Sequence, residues 1–576
     1  MVLLRFRPLA WAIAVSSMGL SLNFAKPSTA APPLIQGHSG MVTAAHPKAT
    51  QVGLAILKQG GNAVDAAVAT TMAISVVEPF SAGIGGGGFL LLRIGETNQI
   101  VALDFRERAP RQANAELFLD AEGKVIPRAS IDGHRAVAVP GTIAGLQAVH
   151  QKYGRLPWPD LLKPAIQLAQ DGIVVSDRTA RIISLRQPVL ATNPAAKAIF
   201  FRGGQPLAIG DRLVQTDLAQ TLRLLAQDPQ TFYSGSVAFA IAKDMRENKG
   251  LVSLTDLKTY APTWRTPICG AFRQMQVCSM PPPSSGGVHL LQMLNVLSQW
   301  QQFPAEVDLP DYLHMLAEAM KIAYADRAEY LGDADFVEVP VQALTSAQYA
   351  HRRFREINSN RARPPEQVKA ADAQTLKRLQ QESNDTSHLN VVDRDRNAVS
   401  LTFTLNLGFG AGVVVPGTGI VLNNEMDDFA TAPGVPNAFG LVGNEQNAIA
   451  PAKKPLSSMT PTIVTEAGQL RLVVGAAGGS TIITTVLQLV LNVLVFEQDV
   501  STAINAPKIH HQWRPTPLRV EERVQLPLAT LQDLQRRGHL IQKRWEWGNA
   551  NIVEVTPNNK LQGAADPRGE GTALGY

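Results

Sequence analysis

The sequence predicts a mixed α/β (α+β) fold in which stacked β-sheets lie between layers of helices. Residues 389–405 and residues 462–475 each contain two apolar runs around a short polar turn, a pattern typical of antiparallel hairpins. Residues 481–496 are apolar on nearly all sides, so a helix there needs covering structure on two sides. Because apolar faces of helices and sheets must both be buried, these observations favour a layered sandwich.

The N-terminal half continues this pattern. Asn62 is a typical helix cap, and the nearly uncharged run 63–77 after it, with Asp65 three residues beyond the cap, predicts a buried helix. Glycines between residues 83 and 88 then interrupt the chain before two apolar runs, 89–94 and 100–105, which predict another hairpin. The middle third, residues 141–378, is mainly helical in pattern, and we expect it to cover the sheets.

Length and charge restrict the classes of protein. The chain has 576 residues, 45% of them hydrophobic, which is ample for a large core. No linker-like composition or block of charge divides it, so we expect one intertwined unit. The 53 Lys and Arg residues nearly balance the 48 Asp and Glu residues and are scattered, whereas nucleic-acid binders carry a basic stripe. A nucleic-acid partner is therefore not expected.

Residues 1–30 predict a secretory signal peptide. Arg5 and Arg7 precede an apolar run from Leu9 to Leu22, and small residues follow at positions 28–30. The alternative is an uncleaved membrane anchor, but the run is shorter than the roughly 20 residues that span a bilayer. We expect a periplasmic or secreted protein without a stable membrane anchor.

The only two cysteines, Cys269 and Cys278, lie in a segment patterned as two strands joined by a turn. They are either paired, in an oxidising compartment, or free. Two cysteines are too few for a disulfide framework or for a four-thiolate metal site.

Signals for a cofactor are weak. Gly83, Gly85 and Gly88 have the spacing of a dinucleotide-binding loop, but they follow a helix rather than a strand. The sequence has no HExxH, P-loop or GxSxG motif. We expect neither a cofactor nor a metal.

Six short motifs follow one another along the chain: DFRE at 104–107, MPPPSSGG at 280–287, TSH at 386–388, NNEMDDF at 423–429, PLSSM at 455–459 and ADPR at 565–568. Together they resemble the γ-glutamyltransferase (γ-glutamyltranspeptidase) family of N-terminal-nucleophile hydrolases, over almost the whole mature length. The resemblance implies a four-layer αββα sandwich formed jointly by two fragments of one precursor.

The resemblance further implies that the precursor cuts itself between Asp385 and Thr386. A large subunit, residues 31–385, and a small catalytic subunit, residues 386–576, would then form a heterodimer. Thr386 would attack the Asp385 carbonyl and form an ester that water resolves. A threonine hydroxyl is a weak nucleophile at neutral pH, whereas the α-amine freed by the cut has a pKa of about 8 and serves as its base.

The remaining site residues are also implied by the resemblance. Gly478 and Gly479 would offer backbone N–H groups to an oxyanion, and Thr404 would support the nucleophile. The charged α-end of a glutamyl group needs charged partners, because burying it unpaired is costly. Arg106, Ser457 and Ser458 are implied for its carboxylate, and Asn406, Glu425 and Asp428 for its ammonium.

Taken singly, these residues have ordinary alternatives. The glycine pair fits a tight connection, Arg106 a surface ion pair and Asp428 a turn. Their joint match to the family favours the functional interpretation.

Two positions depart from the family pattern. Ser387 stands where many relatives have a second threonine, which keeps a hydroxyl. Phe439 lies in residues 433–443, which resemble a lid, at a place where relatives often have tyrosine. Without a phenolic hydroxyl the lid cannot bond Asn406, so we expect it to be held by apolar contact and to be looser.

The implied function is that of an exported γ-glutamyltransferase and glutathione hydrolase. A γ-glutamyl ester on Thr386 would pass its acyl group to water, or to an amino acid or dipeptide acceptor, and its substrates would be glutathione and other γ-glutamyl compounds. One alternative is a cephalosporin-type acylase, although glutaryl substrates lack the ammonium that Asn406, Glu425 and Asp428 would bind. The other is an uncleaved exported binding or scaffold protein.

Overall fold

The computed structural model describes residues 30–300, 302–370, 386–545 and 547–576. Nearly all of the predicted signal peptide, and Asp385 of the predicted cleavage site, lie outside these residues. Across the described ranges, no helix combines the length and the apolar character needed to cross a membrane.

The centre of the described structure is a pair of seven-stranded sheets, in which all neighbouring strands are antiparallel. In spatial order the first sheet consists of Ile35–Gly37, Leu561–Ala565, Asn549–Val555, Gln469–Ala477, Thr462–Glu466, Met275–Ser279 and Ile268–Phe272. The second consists of Thr572–Gly575, Met41–Ala44, Ser387–Val392, Ala398–Thr404, Gly87–Arg93, Ile100–Phe105 and Thr263–Arg265.

The two sheets pack face to face and are joined by buried hydrogen bonds. Asn390 of the second sheet donates to the carbonyl of Asn551 over 2.9 Å, and Asn551 donates to the carbonyl of His388 over 2.8 Å. These bonds satisfy amide groups that would be costly to bury alone. They fix the strand that begins at Ser387 against the first sheet.

Helices cover the outer face of each sheet. Those that pack on the sheets are Pro47–Lys58, Ala63–Val77, Thr142–Tyr153, Gly286–Leu297, Thr481–Leu494 and Val500–Asn505. The other α-helices in the described ranges are Trp158–Asp171, Asp177–Leu190, Pro194–Phe200, Thr216–Gln227, Thr231–Ser234, Ser236–Glu247, Leu254–Lys258, Pro310–Tyr330, Val341–Leu344, Ala347–Arg355 and Leu528–Arg536. The order helix, sheet, sheet, helix confirms the predicted α/β sandwich.

The segments from which the sandwich was predicted have the expected structure. The helix Ala63–Val77 is buried throughout and begins with a capping box between Asn62 and Asp65. The helix Thr481–Leu494 is also buried on all sides, between the Gln469–Ala477 strand and the helix Gly286–Leu297. Both helices are apolar all round because structure contacts every face of them.

The interpretation of residues 141–378 as covering structure was incomplete. Three of its segments are strands of the main sheets: Thr263–Arg265, Ile268–Phe272 and Met275–Ser279. The last two form the hairpin that carries the cysteines, and Cys269 lies opposite Cys278, to which a disulfide joins it. The alternative of free thiols is therefore wrong for this structure.

Both sheets contain strands from before and from after residue 386. The Ser387–Val392 strand, for example, lies between Met41–Ala44 and Ala398–Thr404. Neither part of the chain has a complete sheet by itself. This agrees with the expectation of one intertwined unit.

Smaller strands lie outside the sandwich. Ile509–His510, Leu518–Glu521 and Ile541–Arg544 form a three-stranded sheet, and Ile173–Val174 with Arg212–Leu213 and Phe201–Arg202 with Gln205–Pro206 form short pairs.

Candidate active site

Thr386 directly precedes a central strand of the second sheet. The adjacent strand ends at Thr404, and the register that sets Ser387 opposite Phe403 brings the two threonines side by side. Their Oγ1 atoms lie 3.3 Å apart, and both residues are buried. Thr404 Oγ1 also accepts a hydrogen bond of 2.8 Å from the backbone N–H of Asn406. A second hydroxyl is thus fixed beside that of Thr386.

These threonines lie in a cleft of about 270 Å³. Its lining residues are Arg106, Thr386, Thr404, Asn406, Glu425, Asp428, Phe439, Ser457, Ser458, Met459, Gly479 and Ile482. The structure therefore gathers ten of the predicted site residues around one space. Gly478 lies next to this wall in the chain without lining the cleft, and Asp385 is not among the described residues.

One end of the cleft is strongly charged. Buried Arg106 forms ion pairs with Glu425 and with Asp428, the latter at 2.5 Å, and Glu107 Oε2 lies 3.7 Å from its Nη1. Burial alone lowers the pKa of Arg106, but the three carboxylates raise it further than burial lowers it, so the guanidinium stays charged. One cation thus faces three carboxyl groups.

The pKa values of two of these carboxyl groups are raised. Burial raises the pKa of Glu107 to about 7, although the charge of Arg106 opposes the shift. Burial also raises the pKa of Glu425 well above its ordinary value, and the neighbouring Glu107 and Asp428 contribute to the increase. An ammonium group placed here would favour the ionised forms of these carboxyl groups.

Asn406 lies at this charged end in an unusual backbone conformation. Its φ angle is +78°, in the left-handed region that asparagine tolerates better than most residues. Its side-chain amide donates to the carbonyl of Asn424 over 3.1 Å, and Asn424 is adjacent to Glu425. The turn thereby connects the strand of Thr404 to the short helix Glu425–Asp428.

The serines of residues 280–287 hold the segment that carries Ser457 and Ser458. The Ser285 hydroxyl donates to the Ser457 carbonyl over 2.8 Å, and the Ser284 hydroxyl donates to the Met459 carbonyl over 2.6 Å. Two motifs that are far apart in the sequence therefore form one buried assembly. Both motifs are visible in the sequence, but their contact was not predicted.

Gly478 and Gly479 connect the Gln469–Ala477 strand to the helix Thr481–Leu494. Their φ angles are +133° and +53°, which favour glycine. The Gly478 carbonyl accepts hydrogen bonds from the backbone N–H and the hydroxyl of Thr481. The connection therefore ends at a helix N-terminus, where backbone N–H groups favour negative charge.

The lid-like segment is fastened more firmly than apolar contact alone would allow. Phe439 is 4% exposed, and its ring lies against Gly479. In addition, the Ala438 N–H donates to Asp427 over 2.9 Å, Asn437 donates to Asp428 over 3.1 Å and Gln512 donates to the Phe439 carbonyl over 3.1 Å. The expected apolar contact is present, but these polar bonds were not foreseen.

Several residues of the site were not predicted. Met459 and Ile482 form an apolar part of the wall, and Arg327 lies behind Ser458. The helix pattern offered a signal for Arg327, since it falls three residues after Tyr324 on a buried stretch. A charge at such a position is usually paired or functional.

A second group of polar side chains lies elsewhere, at His314, Glu318 and His539. Both oxygens of Glu318 already form ion pairs, one with Lys321 and the other with Arg363 at 2.9 Å. A metal ion would have to displace these cations. The cluster therefore does not argue for a metal site.

A helix-flanked double sheet with a threonine at the head of a central strand, facing a charged cleft, is the arrangement of N-terminal-nucleophile hydrolases. The model of the gamma-glutamyltranspeptidase family matches residues 49–576. The glutathione hydrolase proenzyme of Escherichia coli K12 is 45% identical over 536 residues, which cover 93% of this chain and 91% of that protein. The chain belongs to the gamma-glutamyltranspeptidase family.

Two solved structures are also similar. A cephalosporin acylase from Bacillus halodurans has a TM-score of 0.85 at 29% identity, covering 97% of this chain and 99% of that chain. A gamma-glutamyltranspeptidase from Helicobacter pylori has a TM-score of 0.56 at 41% identity, covering 58% of this chain and 96% of that chain.

Proposed function

We propose that this protein is an exported γ-glutamyltransferase and glutathione hydrolase that cleaves itself before Thr386. The observation that carries this proposal is the joint position of Thr386 and the Arg106 charge cluster on one cleft, in a chain of this family. The hydroxyl would perform the chemistry at one end of the cleft, and the charges would select the substrate at the other.

The first reaction takes place in the precursor. The Thr386 hydroxyl attacks the carbonyl of Asp385, the peptide bond becomes an ester through an N-to-O shift, and water hydrolyses that ester. The products are a fragment ending at Asp385 and a fragment beginning at Thr386 with a free α-amine. Thr404 supports this step, because its hydroxyl lies 3.3 Å from that of Thr386 and can exchange a hydrogen bond with it.

In the mature protein the α-amine of Thr386 takes the hydroxyl proton as the oxygen attacks the δ-carbonyl of a γ-glutamyl amide. The backbone N–H groups of Gly478 and Gly479 are proposed to stabilise the resulting oxyanion. The amine then protonates the leaving nitrogen, and a γ-glutamyl ester remains on Thr386. Water converts the ester to glutamate, and an amino acid or dipeptide converts it to a new γ-glutamyl compound.

The charged end of the cleft is proposed to bind the α-amino and α-carboxylate groups of the glutamyl substrate. Glu425 and Asp428, with the Asn406 side chain, suit the ammonium, because their oxygens accept its hydrogen bonds and its charge favours the ionised carboxylates. Arg106 together with Ser457 and Ser458 suits the carboxylate. In the structure Arg106 already pairs with Glu425 and Asp428. In a bound glutamyl zwitterion, the α-carboxylate would contact Arg106 and the ammonium would contact Glu425 and Asp428.

The second candidate is an acylase, which the similarity to the Bacillus halodurans structure favours. The three carboxyl groups around Arg106 argue against it, because a glutaryl chain brings a carboxylate without an ammonium. Binding such a chain would add a negative charge beside carboxyl groups whose ionisation is already disfavoured.

The test begins with the denatured mass and N-terminal sequence of the purified protein. We expect a fragment that starts at Thr386 and ends at Tyr576, its absence in Thr386→Ala, and its presence in the control Thr502→Ala, which removes an exposed hydroxyl from the same part of the chain. The cleaved protein should release glutamate from glutathione. An intact chain would contradict the proposal, and hydrolysis of glutaryl but not γ-glutamyl amides would favour the acylase.

The further expectations concern location and assembly. Cell fractionation should find the protein outside the cytoplasm, beginning after the predicted leader. The two fragments should co-purify as a heterodimer under native conditions, since each sheet contains hydrogen-bonded strands from both.

A further inference from the structure

A buried guanidinium lies directly behind the serines of the cleft. Arg327 is on the helix Pro310–Tyr330 and is 5% exposed. Its Nε donates to the hydroxyl of Ser285 over 3.1 Å, and its Nη2 donates to the hydroxyl of Ser458 over 3.3 Å. Arg327 thus contacts one serine that lines the cleft and one that supports it.

Arg327 has no carboxylate within ion-pair distance among the residues the structure describes. Arg568, which is similarly buried, pairs with Glu521 and with Asp566. Burial lowers the pKa of Arg327 to about 10, so the group remains protonated at neutral pH. A buried charge without an ion-pair partner is costly unless something else compensates it.

The bonds of Arg327 determine how the serine hydroxyls point. Arginine can only donate, so Ser458 Oγ accepts from it and its own O–H is left to donate elsewhere. Ser458 lines the cleft, and a carboxylate placed there would accept that hydrogen. Ser285 likewise accepts from Arg327 and passes its own hydrogen to the Ser457 carbonyl. Arg327 is therefore connected to Ser458 by a direct hydrogen bond and to Ser457 by way of Ser285.

The distribution of charge around the cleft also favours a role for Arg327 in binding a carboxylate. Arg106 faces three carboxyl groups, so a substrate carboxylate that approaches it adds further negative charge. Arg327 is a second cation near Arg106, and with Asp428 and Leu456 it lines a second cavity that adjoins the cleft at Asp428. Its charge would offset the added carboxylate without contacting it.

We propose that Arg327 is a positioning residue for substrate recognition: it orients Ser458 and Ser457 and supplies a second positive charge to the subsite for the substrate's α-carboxylate. This inference rests on the proposed γ-glutamyl activity. It predicts an effect on binding of the carboxylate rather than on the chemistry at Thr386.

The test compares two amides that differ only in the α-carboxylate: an L-γ-glutamyl anilide and the matching 4-aminobutyryl anilide. In Arg327→Gln we expect KM for the glutamyl substrate to rise about 10-fold or more, the size expected for loss of a charge-assisted contact. kcat should change by less than about 3-fold, and kcat/KM for the 4-aminobutyryl substrate should change equally little. Arg327→Lys should recover part of the preference, because it keeps the charge.

Controls separate this role from a structural one. Arg353→Gln changes a buried arginine on the neighbouring helix Ala347–Arg355 that donates to the Lys369 carbonyl, and it should leave the preference intact. Self-cleavage and melting temperature show whether each variant folds. If Arg327→Gln does not fold, Ser285→Ala tests the same path and should give a smaller loss of preference.

Inhibition provides a readout that needs no turnover of the weaker substrate. The Ki of free L-glutamate should rise about 10-fold in Arg327→Gln, while that of 4-aminobutyrate stays constant. An equal loss for both amides and both inhibitors would overturn the inference and leave the proposed function standing. If the wild-type protein fails to hydrolyse the glutamyl anilide, both the inference and the proposed function are wrong.

Discussion

The ring of Phe439 lies so close to Gly479 that a Cβ atom at Gly479 would be 2.3 Å from its Cδ1 atom. Real Cβ atoms do not approach this closely, so any side chain at Gly479 would displace the ring. The lid-like segment is thereby coupled to the backbone that we propose as the oxyanion site.

This contact makes Gly479→Ala a test of two effects. The methyl group would collide with Phe439, and the residue would be strained at a φ of +53°. We expect kcat to fall by about 100-fold, the usual loss when an oxyanion donor is displaced. Steady-state kinetics with a γ-glutamyl anilide as the substrate measure this loss of kcat.

The double variant Gly479→Ala with Phe439→Ala separates the two effects. Removing the ring relieves the collision but not the strain at residue 479, so we expect partial recovery of kcat. Full recovery would show that the collision alone caused the loss. No recovery would place the whole effect in the glycine backbone.

Phe439→Tyr tests the lid itself. Phe439 and Asn406 line the same cleft, and a phenolic hydroxyl that bonds Asn406 would add a hydrogen bond to the closed lid. We expect KM for γ-glutamyl substrates to fall about 3-fold, within the range of one net hydrogen bond. Proteolysis within residues 433–443 should also slow. Unchanged KM and unchanged proteolysis would mean that the bonds of Ala438 and Asn437 already hold the lid closed.

The sandwich could be predicted because its strands and helices carry local patterns. The hairpin that ends at Thr404 and the helix Ala63–Val77 were visible as alternation, turns and caps. The hairpin of Cys269 and Cys278 was also visible, but its membership of a main sheet depends on pairing with the distant strand Thr462–Glu466. No local sequence pattern indicates which distant strand will pair with a hairpin.

The candidate site could likewise be predicted from the sequence only in part. The family resemblance supplied Arg106 and Ser458, but it did not supply their surroundings. That Arg106 pairs directly with Glu425 depends on contact between residues over 300 positions apart. The position of Arg327 behind Ser458 likewise results from packing of a helix against a loop. Contacts of this kind require the folded structure.

Thr404→Val should slow the chemistry without weakening binding. Valine has nearly the shape of threonine but lacks the hydroxyl that lies 3.3 Å from Thr386 Oγ1 and that accepts from the Asn406 N–H. We expect self-cleavage and kcat each to fall about 10-fold or more, in the range for removal of a buried hydrogen bond, while KM stays within about 3-fold. Thr404→Ser should retain most activity. Equal activity of the valine variant would exclude a supporting role for this hydroxyl.

The last prediction concerns acid stability and the buried His289. Burial and the charge of nearby Arg327 lower its pKa to about 3, although its bond to Gln292 opposes the shift. Since the unfolded chain has a histidine pKa of about 6.5, it binds the proton more readily than the folded protein does. The stability from neutral His289 is therefore present above about pH 6.5 and is lost as pH falls toward 3. The loss amounts to at most about 1.4 kcal/mol for each pH unit.

His289→Phe should remove this dependence. The imidazole stacks on Tyr324, and among the described residues its Nε2 has no hydrogen-bond partner, so phenylalanine loses only the 2.9 Å bond to Gln292. At pH 7.5 we expect the variant to melt at a lower temperature than the wild type. This gap in melting temperature should narrow steadily at pH 6.0, 5.5 and 5.0. Val288→Ala, a buried change one residue away without a titratable group, should instead keep a constant gap. If the gap for His289→Phe were equally constant, proton uptake at His289 would not contribute to acid unfolding.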